Sequence, residues 1–345
     1  MPADSSSPDS RLAALQQWLL PLSDRFRLEP ASLAPASSDA SFRRYFRVPA
    51  VHAGQSSLIV MDAPPPQEDC RPFVAVAERF ASAGLNVPKV LAADLEQGFL
   101  LLSDLGTTTY LSALNDQSAD RLYGDASSAL IRLQLASPAA GLPDYDRALL
   151  ARELELFPTW YVTTHCGHTI EPGERAALDR MFEALLVNNL AQPMVDVHRD
   201  YHSRNLMLTT ADNPGVLDFQ DAVRGPITYD LVSLLRDAYV HWDEERILDW
   251  AIRHWEKARR AHLPVSADFG EFWRDFEWMG LQRHIKVLGI FARLYHRDGK
   301  SNYLNDLPLV LHYTRRAAER YITFKPLLRL LDKLEQRTPQ TGYTF

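Results

Sequence analysis

The chain has 345 residues, of which 46% are hydrophobic and 23% charged, an ordinary balance for a globular protein of one or two domains. Its net charge of −7 and pI near 5.9 give no electrostatic reason to expect nucleic acid or an anionic membrane as a partner. Cys70 and Cys166 lack the spacing of a zinc site or disulfide framework, and the sequence has no signal-peptide pattern and no transmembrane run. We therefore expect a cytoplasmic protein with no membrane segment and no obligatory protein partner.

The N-terminal third predicts a small antiparallel sheet with one helix. Alternating β-branched and aromatic residues predict strands, and apolar residues at helical spacing predict helices. The predicted elements are an amphipathic helix after a disordered tail, two strands, a helix and two further strands, at residues 12–20, 41–48, 56–63, 69–85 and 89–106. A turn at Glu96–Gly98 separates the last two strands.

The rest of the chain predicts mostly α-helix. Long helical patterns cover residues 118–136, 144–164, 171–190, 228–260 and 268–335. Within them lie two short stretches that are typical of strands and loops, "VDVHRDYHSRNLM" (195–207) and "VLDFQDA" (216–222). Because binding and catalytic residues concentrate on irregular backbone held by a rigid scaffold, we expect the chemistry there.

The first of these stretches contains a phosphoryl-transfer motif. His198, Arg199, Asp200 and Asn205 match H-R-D-x-x-x-x-N, the catalytic-loop pattern of protein kinases and their relatives. Asp200 is the candidate base for the attacking hydroxyl. Asn205 and Asp218, which opens a D-F pair after two apolar residues, offer the hard oxygen ligands that Mg²⁺ prefers. The alternative is that these side chains only cap turns.

These motifs and the element order resemble the bilobal α+β protein-kinase-like fold, in its aminoglycoside phosphotransferase and choline kinase branch. The resemblance implies ATP and Mg²⁺, with a nucleotide-binding lobe at 1–105 and a helical catalytic and substrate lobe at 106–345. Only 11 residues separate Asp218 from Asp230, too few for the peptide-docking activation segment of protein kinases, so a small-molecule hydroxyl is the expected acceptor. The resemblance also implies that Asp230 begins a helix and, with His198, supports the catalytic loop.

The nucleotide site departs from the usual kinase pattern. Met61 stands where kinases place a phosphate-binding lysine, so another cation must replace it. Arg43 or Arg44 is the candidate, because a guanidinium can bind phosphate bidentately, although both could simply be solvated on a strand. The adenine is expected at the backbone of Ser103, Asp104 and Leu105.

A closer resemblance concerns the acceptor. The segments "DASFRRYFRV", "LIVMDAPP", "ELELFPTWYV" and "HRDYHSRNLM", with others between about residues 38 and 325, are similar to the bacterial anomeric kinases of cell-wall amino sugars. The resemblance implies phosphorylation of the 1-hydroxyl of N-acetylmuramate and N-acetylglucosamine during peptidoglycan recycling.

Several side chains are candidates for contact with such a sugar. Carbohydrate sites combine an aromatic face with fixed polar groups. The candidates are Trp160, His202, Arg204 and Asp221, with Tyr201 beside them in the catalytic loop. Trp160 could equally be a core residue, and Asp221 could bind metal or only local backbone. Arg283 and His284, on a later helix, could reach the site, but they are expected instead to be exposed or to cap other groups.

Two other functions stay open at this point. One is transfer to an aminoglycoside or amino alcohol, which the mixture of His and Arg with acidic residues weakly disfavours. The other is a nucleotide-binding pseudokinase that serves as an interaction module. The usual sign of a pseudokinase is loss of a catalytic or metal-binding residue, and Asp200, Asn205 and Asp218 are all present.

Overall fold

The computed structural model describes residues 9–38, 42–138 and 140–336. The predicted disordered tail, apart from its end, lies outside these residues. The chain divides into two compact units. The first comprises Met1–Thr108 and Met207–Gln220, and the second comprises Thr109–Leu206 and Asp221–Phe345. The "VLDFQDA" stretch is therefore divided between them, because Asp218 belongs to the first unit and Asp221 to the second.

The first unit is built on a five-stranded antiparallel sheet with the order β1-β2-β3-β5-β4. The strands are β1 Ala34–Ser38, β2 Arg44–His52, β3 Gln55–Asp62, β4 Val90–Asp94 and β5 Phe99–Ser103. The predicted order of strands is confirmed, but β1 was missed because "APASS" has no apolar alternation. Gly98, at φ 75°, turns β4 into β5, where a Cβ would lie 2.0 Å from the Ala63 carbonyl oxygen.

Helices complete this unit. They are α1 Ser10–Leu19, α2 Ser23–Phe26 and α3 Arg71–Ser82, with 3₁₀ turns at Leu20–Leu22 and Pro30–Ser32. Asp9 begins α1 by accepting hydrogen bonds from two backbone N–H groups, each at 3.1 Å. Leu15 and Leu19 are fully buried and pack with Val48 and Leu58 of the sheet, so the predicted amphipathic helix covers the sheet.

The second unit is mostly helical. Its helices are α4 Tyr110–Ala113, α5 Ala119–Leu135, α6 Arg147–Leu154, α7 Pro172–Leu190, α8 Tyr229–Leu235, α9 Glu244–Arg260, α10 Phe269–Asp298, α11 Leu307–Glu319 and α12 Lys325–Leu334. A π-helical segment, Phe157–His165, follows α6, and 3₁₀ turns at Ser301–Asp306 and Ile322–Phe324 flank α11. The predicted α+β fold class is therefore confirmed. Among the described residues, no helix is both long and apolar enough to cross a lipid bilayer.

Short strands frame the two motifs. β6 (Met194–Val197) pairs antiparallel with β9 (Val223–Pro226), while β7 (Leu206–Met207) and β8 (Gly215–Val216) form a second ribbon. The H-R-D motif begins directly after β6, and its last residue directly precedes β7. The catalytic-loop segment is thus irregular backbone fixed at both ends by strand pairing.

Candidate active site

The backbone of the catalytic loop is held by a buried carboxylate. Asp230, in the first turn of α8, accepts hydrogen bonds from the backbone N–H of His198 at 2.6 Å and of Arg199 at 2.9 Å. Arg199 has φ 77°, a left-handed conformation that is uncommon for any residue with a Cβ. Burial raises the pKa of Asp230 to about 7, while the two N–H groups act in the opposite direction. Asp230 therefore supports the strained part of the loop.

Two further contacts order the rest of the loop. The Nδ1 atom of His198 accepts a hydrogen bond from the Asp200 N–H at 3.2 Å. Asp237, just after α8, accepts hydrogen bonds from the backbone N–H of Ser203 at 2.9 Å and from its hydroxyl. Both His198 and Asp237 are buried. The backbone from residue 198 to 203 is thus held by the loop's own His198, by Asp230 of α8 and by Asp237 just after that helix.

A buried ion cluster lies beside the loop. Glu153 of α6 binds the Arg199 guanidinium at 2.6 Å and the Lys286 ammonium of α10 at 3.0 Å, and it accepts a hydrogen bond from the Tyr145 hydroxyl. Lys286 also donates to the Tyr229 hydroxyl at 3.1 Å. Burial acts against the charged form of Glu153, but the two cations still lower its pKa. The cluster was not predicted from sequence, because its members come from four distant segments.

Asp200 is ionised in this setting. Burial favours its neutral form, but the positive charges of Lys286, Arg283 and Arg199, with that of His202 when it is protonated, lower its pKa to about 2. Among the described residues, none hydrogen-bonds to its carboxylate oxygens, and its exposure is intermediate. A charged, unoccupied acceptor of this kind can take a hydrogen bond from a substrate hydroxyl.

The two candidate metal ligands, Asn205 and Asp218, are held in place by different contacts. Asn205 donates from its amide nitrogen to the Asp200 carbonyl at 3.0 Å, which directs the amide oxygen away from that carbonyl. Asp218, in the first unit, has φ 62° and a side chain that is 39% exposed. Its neighbour Phe219 is fully buried, with its ring 4.8 Å from that of Phe73 and 5.8 Å from that of Phe80 on α3. Packing of Phe219 thus fixes the Asp218 backbone.

The donor chemistry at these positions fits Mg²⁺. Among the described residues, no three His, Cys, Asp or Glu side chains are grouped closely enough to hold a metal ion. Protein Mg²⁺ sites commonly use one or two side-chain oxygens, and phosphates and water complete the coordination. Carboxylate and amide oxygens such as those of Asp218 and Asn205 are suitable ligands for that arrangement.

The two candidate phosphate-binding arginines differ in their contacts. Arg44 directs Nε and Nη2 to the buried carboxylate of Asp62, at 3.0 and 2.6 Å, and Nη1 to Asp9. Its donors are therefore committed to structural carboxylates. Arg43 lies 3.8 Å from Glu68 and 3.9 Å from Asp218, within ion-pair range but beyond normal hydrogen-bond length. Of the two predicted residues, only Arg43 is beside the candidate metal ligand.

The expected adenine segment is partly committed to other contacts. Ser103 donates its N–H to the Lys89 carbonyl at 3.0 Å, and the Asp104 carbonyl accepts from Gln55 at 2.7 Å. The Asp104 side chain binds Arg47 at 2.6 Å. Within the described residues, Leu105 has no backbone hydrogen bond. The backbone of Leu105 is therefore the best placed of the three to meet a base edge.

The predicted acceptor contacts separate into core and accessible residues. Tyr201 is fully buried and donates its hydroxyl to the Ala126 carbonyl at 2.9 Å, so it belongs to the core. His202 is buried, and its Nδ1 atom has no hydrogen-bond partner among the described residues. Arg204 lies over the Tyr239 ring at 3.5 Å. The structure thus gives Tyr201 a packing role and leaves a polar atom of His202 unsatisfied.

The remaining predicted contacts lie further along the chain. Trp160, in the π-helical segment, has intermediate exposure, and Asp221 is exposed and accepts from Arg199 through its backbone carbonyl at 3.3 Å. Of the two roles expected for Arg283 and His284, exposure is wrong, because only 3% and 0% of their surfaces are accessible, whereas contact with another polar group is found for His284. Both lie on α10, which is buried along much of its length, and His284 contacts the Arg236 carbonyl at 3.1 Å.

Comparison with known proteins identifies the family of the chain. Residues 32–265 match the sequence profile of the phosphotransferase enzyme family. The N-acetylmuramate/N-acetylglucosamine kinase of Pseudomonas aeruginosa is 51% identical over 337 residues, which cover 96% of this chain and 98% of the relative. The corresponding kinase of Neisseria meningitidis serogroup B is 49% identical over 315 residues, which cover 90% of this chain and 93% of that protein.

Solved structures with the same fold are much more distant in sequence. Choline kinase LicA from Streptococcus pneumoniae aligns with a TM-score of 0.60 at 13% identity and covers 88% of this chain and 99% of its own. An aminoglycoside phosphotransferase from Streptomyces rimosus, in complex with ADP and streptomycin, aligns with a TM-score of 0.50 at 17% identity, with coverages of 79% and 98%. The chain is an enzyme of phosphoryl transfer to a hydroxyl group and belongs to the phosphotransferase enzyme family.

Proposed function

We propose that this enzyme transfers the γ-phosphate of ATP to the anomeric hydroxyl of N-acetylmuramate and N-acetylglucosamine, in the cytoplasm and as a step of peptidoglycan recycling. The observation that carries the proposal is the ionised Asp200 carboxylate, which has no hydrogen bond from described residues and lies on a loop held by buried carboxylates. The names of relatives that are about half identical over almost the whole chain support the choice of sugar.

In this mechanism Asp200 accepts a hydrogen bond from the 1-hydroxyl and orients its oxygen for attack on the γ-phosphate. With a pKa of about 2, Asp200 is mostly a positioning acceptor, and it takes the proton fully only as the new bond forms. Asn205 and Asp218 are each proposed as ligands of Mg²⁺, and that ion would supply positive charge to neutralise the phosphates. Asp230 and His198 keep the loop backbone in place during the reaction.

For the nucleotide, we assign the phosphate contact to Arg43 and not to Arg44. Arg43 is near Asp218, whereas the guanidinium of Arg44 is occupied by Asp62 and Asp9. The backbone of residues 103–105, with Leu105 as the open position, is the proposed adenine contact. We retain residues 1–105 as the proposed nucleotide-binding lobe and 106–345 as the proposed catalytic and substrate lobe, although residues 207–220 group with the first compact unit. His202, Arg204, Trp160 and Asp221 remain proposed sugar contacts.

The charges around Asp200 disfavour a cationic acceptor. Lys286, Arg283 and Arg199 lower its pKa, but Lys286 and Arg199 share Glu153 as their counter-ion, so Arg283 is the one of these three cations without an ion pair among the described residues. An aminoglycoside or amino alcohol would bring further positive charge to the same place, and Coulomb repulsion would weaken its binding. A neutral or acidic sugar fits this electrostatic environment better.

The test is an ATP-consumption assay with purified enzyme and a panel of acceptors. We expect turnover with free N-acetylmuramate and N-acetylglucosamine, and none with their 1-O-methyl glycosides or with aminoglycosides. Equal activity on the 1-blocked sugars would exclude the anomeric position. Turnover of aminoglycosides alone would replace the proposed acceptor class.

Two pairs of variants test the residue assignments. Asp200→Asn should bind ATP normally and lose most turnover, while Asp249→Asn, on the exposed face of α9, should retain it. Arg43→Gln should raise the KM for ATP. Arg44→Gln should mainly lower thermal stability, because it removes a partner from the buried Asp62. A near-normal rate in Asp200→Asn would show that Asp200 is not the base. If Arg44→Gln, and not Arg43→Gln, raised the KM for ATP, the phosphate contact would be assigned to Arg44.

A further inference from the structure

Arg283 is an unsatisfied cation in the interior of the second unit. Its Nε and Nη1 atoms are buried, and neither has a hydrogen-bond partner among the described residues. A buried guanidinium without a hydrogen-bonded anion carries a large desolvation cost. Arg236 and Arg199 also have buried nitrogens without a hydrogen-bond partner, but each forms an ion pair, Arg236 with Glu277 at 3.2 Å and Arg199 with Glu153 at 2.6 Å. Arg283 differs from them in having no ion pair with any described residue.

Its place on α10 directs it towards the catalytic loop. Arg283 and Lys286 are three residues apart and lie on the same side of the helix. Lys286 reaches Glu153 at 3.0 Å, and Glu153 holds the side chain of Arg199, the residue before Asp200. Consistent with this placement, the charge of Arg283 lowers the pKa of Asp200.

A second unsatisfied polar atom lies near Arg283. His202 Nδ1 is buried and has no partner within the described ranges, and its ring is 5.3 Å from that of Tyr239. The pKa of His202 is lowered by burial, and the charge of Arg283 lowers it further. Arg283 and His202, which come from different elements, thus each have buried nitrogens without a hydrogen-bond partner among the described residues. Both influence the pKa of the catalytic carboxylate Asp200.

Arg204 is a weaker candidate for the same ligand. Its guanidinium stacks on Tyr239 at 3.5 Å and lies 3.7 Å from the Asp306 carboxylate, so it already has an aromatic and an anionic neighbour. Its side chain is also 39% exposed, which leaves part of it solvated. The need for an external anion is therefore much greater at Arg283 than at Arg204.

We propose that Arg283, assisted by His202, is the receptor for the carboxylate of the acceptor, that is, for the lactyl group by which N-acetylmuramate differs from N-acetylglucosamine. This specificity assignment rests on the proposed function. N-acetylmuramate carries that acid on an ether at its 3-oxygen, and a guanidinium matches a carboxylate in geometry as well as charge. N-acetylglucosamine has a hydroxyl there and would leave Arg283 unpaired. Arg283 therefore favours the muramate without being needed for phosphoryl transfer to the neutral sugar.

The experiment compares kcat/KM for three acceptors: N-acetylmuramate, its lactyl carboxamide and N-acetylglucosamine. In Arg283→Gln, the ratio of kcat/KM for N-acetylmuramate to that for N-acetylglucosamine should fall by about tenfold to a hundredfold, the usual effect of losing a charged hydrogen bond. In the wild type, amidation of the lactyl group should produce a loss of similar size. In Arg283→Gln, amidation should have little effect, because the charge that it removes no longer has a partner.

Two further variants complete the design. Arg283→Lys keeps the positive charge but loses the planar guanidinium, so it should retain part of the preference for N-acetylmuramate over N-acetylglucosamine. Arg297→Gln, on the same helix but exposed, should behave as the wild type. If Arg283→Gln does not fold, the carboxamide comparison in the wild type still decides whether the carboxylate is recognised, and Arg283→Lys decides whether Arg283 recognises it.

Three results would overturn the assignment. An equal loss for both natural sugars in Arg283→Gln would mean that Arg283 acts on the γ-phosphate or on the fold. Loss of the preference in Arg204→Gln but not in Arg283→Gln would move the receptor to Arg204. Wild-type enzyme that is indifferent to amidation would exclude carboxylate recognition altogether. If the wild type phosphorylates neither sugar, the proposed function fails as well, and the first measurement of the series reveals it.

Discussion

Replacement of Asp230 by alanine should damage both stability and catalysis. The change removes both acceptors for the His198 and Arg199 N–H groups, which lie at 2.6 and 2.9 Å from the carboxylate. Asp230 is charged above a pH of about 7, and a hydrogen bond to a charged group contributes roughly 1.5–3 kcal/mol. Loss of two such bonds, with their donors left buried, should therefore lower the free energy of unfolding by about 3–6 kcal/mol at a pH above 7, a large fraction of a typical domain's stability.

The effect on kcat should follow from the backbone of Arg199. Its φ of 77° is maintained against the ordinary preference of a residue with a Cβ, and Asp230 provides one of the bonds that maintain it. Relaxation of the loop would displace Asp200, and displacement of a catalytic group by about 1 Å can cost on the order of a hundredfold in rate. Asp230→Asn should have a kcat between those of Asp230→Ala and the wild type, because the amide oxygen can still accept from one N–H group while the amide NH₂ faces the other.

The assay combines urea denaturation with initial-rate kinetics on the same preparations. Asp249→Ala, which removes an exposed carboxylate from α9, is the control for a general effect of charge loss. If Asp230→Ala lowered the free energy of unfolding by less than about 1 kcal/mol and left kcat unchanged, the idea that this carboxylate supports the loop would be refuted.

Further predictions concern the ion cluster, a buried histidine and a close helix contact. Glu153→Gln should destabilise the enzyme by about 3 kcal/mol or more in urea denaturation, because Arg199 and Lys286 lose their shared counter-ion; a loss below about 1 kcal/mol would contradict this. Burial lowers the pKa of His254 to about 3, so the unfolded chain takes up a proton that the folded one refuses as the pH falls from about 6.5 to 3. The free energy of unfolding should therefore decrease as the pH falls from about 6.5 to 3, and calorimetry should show a smaller decrease for His254→Asn. The same decrease in the variant as in the wild type would argue against this. Gly289→Ala should lower the melting temperature, since the added Cβ would lie 2.4 Å from the backbone preceding the π-helical segment; an unchanged melting temperature would show that this contact relaxes freely.

Local sequence patterns predicted the elements whose signals lie within a few residues of each other. Residues 171–190 were predicted as a helix and form α7, Pro172–Leu190, where Glu171 and Glu174 make a capping box. The turn predicted at Glu96–Gly98 connects β4 and β5. The continuous helical pattern at 228–260, in contrast, forms α8 and α9, because apolar spacing alone does not specify where a buried helix ends.

The sequence by itself determined the family and the phosphoryl-transfer motif, since the spacing of His198 to Asn205 and the D-F pair at Asp218 can be read along the chain. Tertiary structure decided which neighbours each side chain has. It assigns Arg44 to structural carboxylates, and it buries two nitrogens of Arg283 without a hydrogen-bond partner in the part of the chain that the structure describes. Such outcomes depend on groups that are distant in sequence and adjacent only after folding. Burial makes these pairings energetically decisive, and burial is a property of the packed molecule rather than of any local pattern.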